Sequence, residues 1–106
     1  MMAKANEELC IRLYQNNQIL VRCKANYLGF SGINIDANPM LLPKGSDIDV
    51  VISAQLSYGE ISCTLPSVVT TRSRLGVGLT FTGNNTNNYS VLQDILMHLN
   101  RYKAAG

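Results

Sequence analysis

The residues able to do acid–base, nucleophilic or metal chemistry are few and scattered. His98 is the only histidine. It stands three residues after Ile95 and beside Leu99, on the flank of an apolar stripe, so a packing role outweighs that of a general base. The three cysteines, Cys10, Cys23 and Cys63, show no C-x-x-C spacing, and neither a zinc quartet nor a disulfide framework can be assembled from them. They read as buried free thiols in a reducing compartment. Asp47 and Asp49 have the look of a carboxylate pair, but two residues apart on a strand they share a solvated face that discourages edge pairing. Gly76-Val77-Gly78 lacks the third glycine and the following helix of a dinucleotide fingerprint, and no G-x-S-x-G nucleophile elbow is present. The expectation is a protein without enzymatic activity, metal or cofactor.

Basic residues offer a second kind of chemistry. Arg22, Lys24 and Asn26 alternate onto one face of a strand that runs into a glycine-containing loop, and Arg72 and Arg74 share a face at the start of a later strand. Guanidinium groups beside the backbone N–H groups of a glycine loop suit phosphate recognition, and Tyr27 or Tyr58 could stack on a base. Solvated strand faces would give the same pattern.

The elements that must position these groups show a period of two. Leu9, Ile11 and Leu13 alternate with Cys10, Arg12 and Tyr14, the pattern of a half-buried strand. Gln15-Asn16-Asn17-Gln18 is a turn, since Asn tolerates left-handed backbone angles. The next strand sends Ile19, Val21, Cys23 and Ala25 one way and Leu20, Arg22, Lys24 and Asn26 the other. Gly29 and Gly32 suggest a tight loop or bulge before a third strand at Ile33, Ile35 and Ala37. After a loop from Asn38-Pro39 to Pro43-Lys44-Gly45-Ser46, Ile48, Val50 and Ile52 mark strand four. Strand five carries Ile61, Cys63 and Leu65 up to Pro66, where a missing ladder donor demands an end, a bulge or an edge. Val68 to Thr71 resumes it, and Val77, Leu79 and Phe81 form strand six.

The period then changes. After a linker over residues 82–88, Val91, Leu92, Ile95, Leu96 and Leu99 recur at helical spacing, predicting a helix over about 90–102 with Ser90 and Gln93 as a capping box. Arg101 and Lys103 complement the dipole at its far end. Six strands over about 8–82 without crossover helices favour an antiparallel barrel or sandwich. The helix stripe must be buried on that barrel or against another subunit.

Composition sets the outer bounds. A chain of 106 residues supports one domain, spanning 1–106. With 46% hydrophobic and 15% charged residues, disorder is excluded. A net charge of +2 is too small for counterion-driven binding to DNA, although a small anion remains in scope. No secretory signal and no membrane-spanning run is visible, so a soluble cytoplasmic protein is expected, in which the sequons at Asn84 and Asn88 are incidental.

Four stretches in this order resemble the bacterial PilZ domain over nearly the whole chain. They are Arg22-Cys23-Lys24-Ala25-Asn26-Tyr27-Leu28-Gly29-Phe30-Ser31-Gly32-Ile33-Asn34-Ile35, Leu42-Pro43-Lys44-Gly45-Ser46, Val68-Val69, and Arg74-Leu75-Gly76-Val77-Gly78-Leu79-Thr80-Phe81. The first is similar to the family's strand, D/N-x-S-x-x-G turn and strand, and the last to its R-x-G-V-x-F strand. The resemblance implies a mainly β fold, a six-stranded antiparallel β-barrel with a C-terminal α-helix. It also implies a regulatory, non-enzymatic role in cyclic di-GMP signalling, with outputs such as motility and biofilm formation.

Family members bind cyclic di-GMP through an R-x-x-x-R pair near the N-terminus together with the D/N-x-S-x-x-G turn. Here the arginines at 12, 22, 72, 74 and 101 never stand four apart, and the turn matches only in part. The ligand-binding candidates are therefore Arg22, Asn26, Ser31, Gly32, Arg72 and Arg74, with cyclic di-GMP as the implied ligand. The alternative is a degenerate PilZ adaptor acting through a protein partner, or through homo-oligomerisation by its C-terminal helix, without nucleotide.

Overall fold

The computed structural model describes residues 9–56, 58–83 and 86–105. It contains β1 (Leu9–Gln15), β2 (Gln18–Leu28), β3 (Gly32–Asp36), a one-turn 3-10 helix (Pro39–Leu41), β4 (Asp47–Leu56), β5 (Gly59–Ser73), β6 (Gly76–Phe81) and α1 (Thr86–Ala105). The strands close into an antiparallel barrel in the order β1-β2-β3-β6-β5-β4. The expected six-stranded barrel with a C-terminal helix is what forms.

Alternation fills the barrel. Ile11, Leu13, Ile35, Val50, Ile52 and Val77 are completely buried, each at an inward position of its strand. One mouth is crossed by the β3–β4 connection, which carries the fully buried Leu42. Gly45 N–H donates to the Val69 carbonyl at 2.8 Å, and Val69 N–H returns to Ser46 O at 3.0 Å. Leu92, Ile95, Leu96 and Leu99 of α1 join the same core, so the helix stripe is buried on its own barrel. It is not left free for a subunit contact.

Local details depart from a plain reading of the period. Asn16 and Asn17 both adopt positive φ, 53° and 64°, the two left-handed residues of a tight hairpin turn. With Gln15 opposite Gln18 and Tyr14 opposite Ile19, the ladder then slips so that Leu13 faces Val21. Leu20 is the extra residue of this bulge. Ile19, expected inward, consequently shares the outer face with Tyr14 and is exposed. Two further bulges put extra residues at Asn26 and Thr70.

Pro66 does not interrupt β5. It stands opposite Asp49 of β4, and its carbonyl accepts from Thr82 N–H at 2.8 Å. Its ring nitrogen therefore points away from β4, to the side where the β6 ladder has just ended at Ser67 and Phe81, and no β4 bond is lost. Two residues earlier on that side, Thr64 N–H donates to Asn88 Oδ1 of α1 at 3.3 Å. The helix covers this free flank of β5.

That contact also explains where α1 begins. The helix starts at Thr86 and not near residue 90, because Asn88 is tied to β5 and Tyr89 packs on the core. Ser90 lies inside the first turns, so it is not the cap. The Asn84-Asn85 part of the linker, with its sequon, and the side chains of Arg101 and Lys103 lie outside the described residues. β4 runs between β1 and β5; Asp47 and Asp49 therefore sit on the outer wall of a closed barrel and guard no edge.

Candidate functional site

Asn26 is the best-placed of the candidate binding residues. As the bulged residue of β2 it escapes the in-and-out alternation, and its Nδ2 donates to Asn34 Oδ1 at 2.9 Å and to the Leu75 carbonyl at 3.2 Å. It thereby clamps β3 to the β5–β6 turn. The clamp closes over Gly76, whose φ of 142° is a conformation for glycine alone. A Cβ there would meet Ile35 O at 2.5 Å and Asn34 Oδ1 at 2.7 Å.

Arg72 and Arg74 do not share a face of one strand. Arg72 belongs to β5, opposite Val77, and its Nε and Nη2 donate to the Pro39 carbonyl at 3.1 and 2.8 Å. This bidentate grip holds the 3-10 turn over the barrel mouth. Arg74 lies in the turn between Ser73 and Gly76 and is exposed. The register that placed both on β6 fails because β5 continues three residues past the bulge at Thr70.

Ser31 and Gly32 occupy the other end of β6. Ser31 O accepts from Phe81 N–H at 2.9 Å, and Gly32 stands opposite Thr80, where a Cβ would collide with the Leu79 carbonyl oxygen. The glycine is demanded by close strand approach. From Gly76 to Phe81 is five residue steps of strand, roughly 16 Å, so the Ser31 turn and the Arg74 turn do not converge. Arg22 stands apart again: β3 and β6 separate its strand from β5.

Arg22 has a neighbour that the sequence pattern did not reveal. The slip at Leu20 places it directly opposite Arg12 of β1. Arg12 Nη2 reaches Ser53 Oγ at 3.4 Å, while its Nε is buried without a hydrogen-bond partner. The plain two-residue turn would have paired Arg12 with Val21; the signal for the shift was that both strands could keep their apolar residues inward only if one residue were extra.

The thiols divide by position. Cys63 is buried and Cys23 half-buried, whereas Cys10, expected to be buried, is exposed because it alternates outward from Leu9 and Ile11. Burial pushes the Cys23 thiol up to about 11, with Asp36 and then Cys10 adding to the rise; burial alone pushes Cys63 up to about 11. Neither is activated as a nucleophile. His98 is half-buried on α1. A shallow groove of about 240 Å³ lies on the outer wall, lined by Tyr14, Asn17, Asp49, Val51 and Thr64, and contains none of the six candidates. Among the described residues no helix is long and apolar enough to cross a membrane. No family model matches the chain, and comparison with curated proteins finds no match.

Proposed function

We propose that this chain is a non-enzymatic regulatory domain of PilZ-like type that acts by contact with a protein partner, in the cytoplasm of a bacterium and in processes such as motility or biofilm formation. The observation that supports contact over nucleotide binding is the engagement of the candidate ligands by the fold itself. Asn26 clamps β3 to the β5–β6 turn, Arg72 grips the Pro39 carbonyl, and Gly32 yields space to the Leu79 carbonyl. A nucleotide would have to displace bonds that hold the barrel together.

The second reading, binding of cyclic di-GMP, is favoured by Arg22 and Arg74, which are exposed and available for charge-assisted contacts. Titration calorimetry with cyclic di-GMP, paired with amide NMR, separates the two. The contact reading expects no heat and no shifts at high micromolar nucleotide. Saturable heat with shifts around Asn26, Ser31 and Arg74 would replace it with the second.

A further inference from the structure

We propose that Arg12 and Arg22 form an anion site on the outer wall of the barrel, built to take a phosphoryl or diphosphoryl group of a small molecule. The proposal does not depend on whether cyclic di-GMP or a protein partner is bound elsewhere.

Arg12 of β1 and Arg22 of β2 are direct cross-strand partners, which brings their Cβ atoms within roughly 5 Å on the same face. Like charges so placed repel each other, and a strand pair has no need of them there. Neither guanidinium is hydrogen-bonded or ion-paired to a carboxylate among the described residues. Among the described residues, the carboxylates nearest by register are Asp49, which faces Tyr14, and Asp36, which faces Lys24. Asp36 thus offsets Lys24, and the facing arginines keep their excess of positive charge.

The Arg12 head group is itself under-satisfied. Its Nε–H is shut off from solvent yet donates to nothing, and Nη2 makes only the long contact of 3.4 Å to Ser53 Oγ, a hydroxyl of a residue 5% exposed. A buried donor on a cation is costly to leave unmade, and the guanidinium fork is shaped for a planar pair of oxygens. One oxyanion lying between the two arginines would accept from Arg12, be shared by the exposed Arg22, and remove the repulsion. Arg22 is exposed and Arg12 only partly buried, so an oxyanion approaches from the outer wall on the Arg22 side, and Arg12 Nε joins it once the guanidinium turns toward the ligand. The arrangement also depends on the bulge at Leu20, without which Arg12 would face Val21.

The test uses the full chain, with inorganic pyrophosphate as probe and sodium chloride at matched ionic strength as reference, read by thermal unfolding and by amide NMR titration. Adenosine diphosphate in a parallel arm distinguishes a nucleotide-borne diphosphate from the bare ion. The wild type is expected to gain stability with pyrophosphate, with saturable shifts centred on β1 and β2. R22Q and R12Q are expected to bind about tenfold to a hundredfold more weakly, the loss of one charge-assisted contact, and R22Q in chloride alone is expected to be at least as stable as the wild type, because the repulsion is gone. K44Q, distant on the β3–β4 connection, should bind like the wild type. The proposal is overturned if pyrophosphate gives the wild type no increment, if R22Q keeps the same increment, or if R22Q is less stable than the wild type in chloride.

Discussion

Replacing Asn26 by Ala separates a structural clamp from a ligand contact. The Asn26 amide makes a half-buried bond to Asn34 Oδ1 at 2.9 Å and an exposed one to the Leu75 carbonyl at 3.2 Å. Net hydrogen-bond contributions of about 1 kcal/mol for the first and about 0.5 for the second predict a loss of roughly 1.5 kcal/mol. For a domain of this size that is a fall in Tm of about 6–12 °C, or about 1 M in urea midpoint for an m-value on the order of 1.5 kcal/mol/M. The chain has no tryptophan, so far-UV circular dichroism is the suitable probe of unfolding. Asn26→Asp should cost more than Ala near neutral pH, since it sets a carboxylate oxygen against two acceptors. A double-mutant cycle with Asn34→Ala should return a coupling on the order of 1 kcal/mol. If N26A unfolds within about 0.3 kcal/mol of the wild type, smaller than a typical net hydrogen bond, the clamp is not holding the turn and the structural assignment of Asn26 is wrong.

Three further outcomes are expected. Because Cys23 and Cys63 are pushed up to about 11 from the ordinary thiol value of 9.0, the folded chain holds its thiol protons more tightly. That stability is fully present below about pH 9 and is lost as pH rises toward 11; urea midpoints that stay flat over this range would contradict it. N-ethylmaleimide near neutral pH should label the exposed Cys10 first, Cys23 slowly and Cys63 only on unfolding, as read by peptide mass spectrometry, and early labelling of Cys63 would count against the packing. Leu92→Ala, at a position with no solvent exposure, should cost about 3–5 kcal/mol, whereas a helix held loosely on the barrel would lose less than about 1 kcal/mol, the size of a surface substitution.

Several features of the barrel were legible because burial imposes a period. The inward residues of β4, β6 and α1 follow directly from alternation and helical spacing, and the core contains Ile48, Val50, Ile52, Val77, Leu79 and Leu92 as the pattern requires. Pro66 marks a position where β5 needs no N–H donor toward β4, though not that the strand runs on to Ser73. The helix start is not legible in the sequence, because Asn88 is held by a strand residue 24 positions earlier, a contact with no local signature. Residue type and parity mark the candidate binding residues in the sequence, and parity fails where a bulge or a turn intervenes. Arg74 is a turn residue, Asn26 a bulge, and Arg72 a clamp on Pro39.

The chain alone, through apolar periodicity, determined the number of strands, most of their inner faces, and the amphipathic helix, since these follow from the fixed repeat of side chains along an extended or helical backbone. Tertiary structure decided which outward residues meet. Two strands with apolar residues at odd positions, joined by a two-residue Asn-Asn turn, cannot both face the core without one extra residue. Barrel packing placed it at Leu20, turned Ile19 outward, and set Arg12 against Arg22. Which charges become neighbours depends on where that slip occurs.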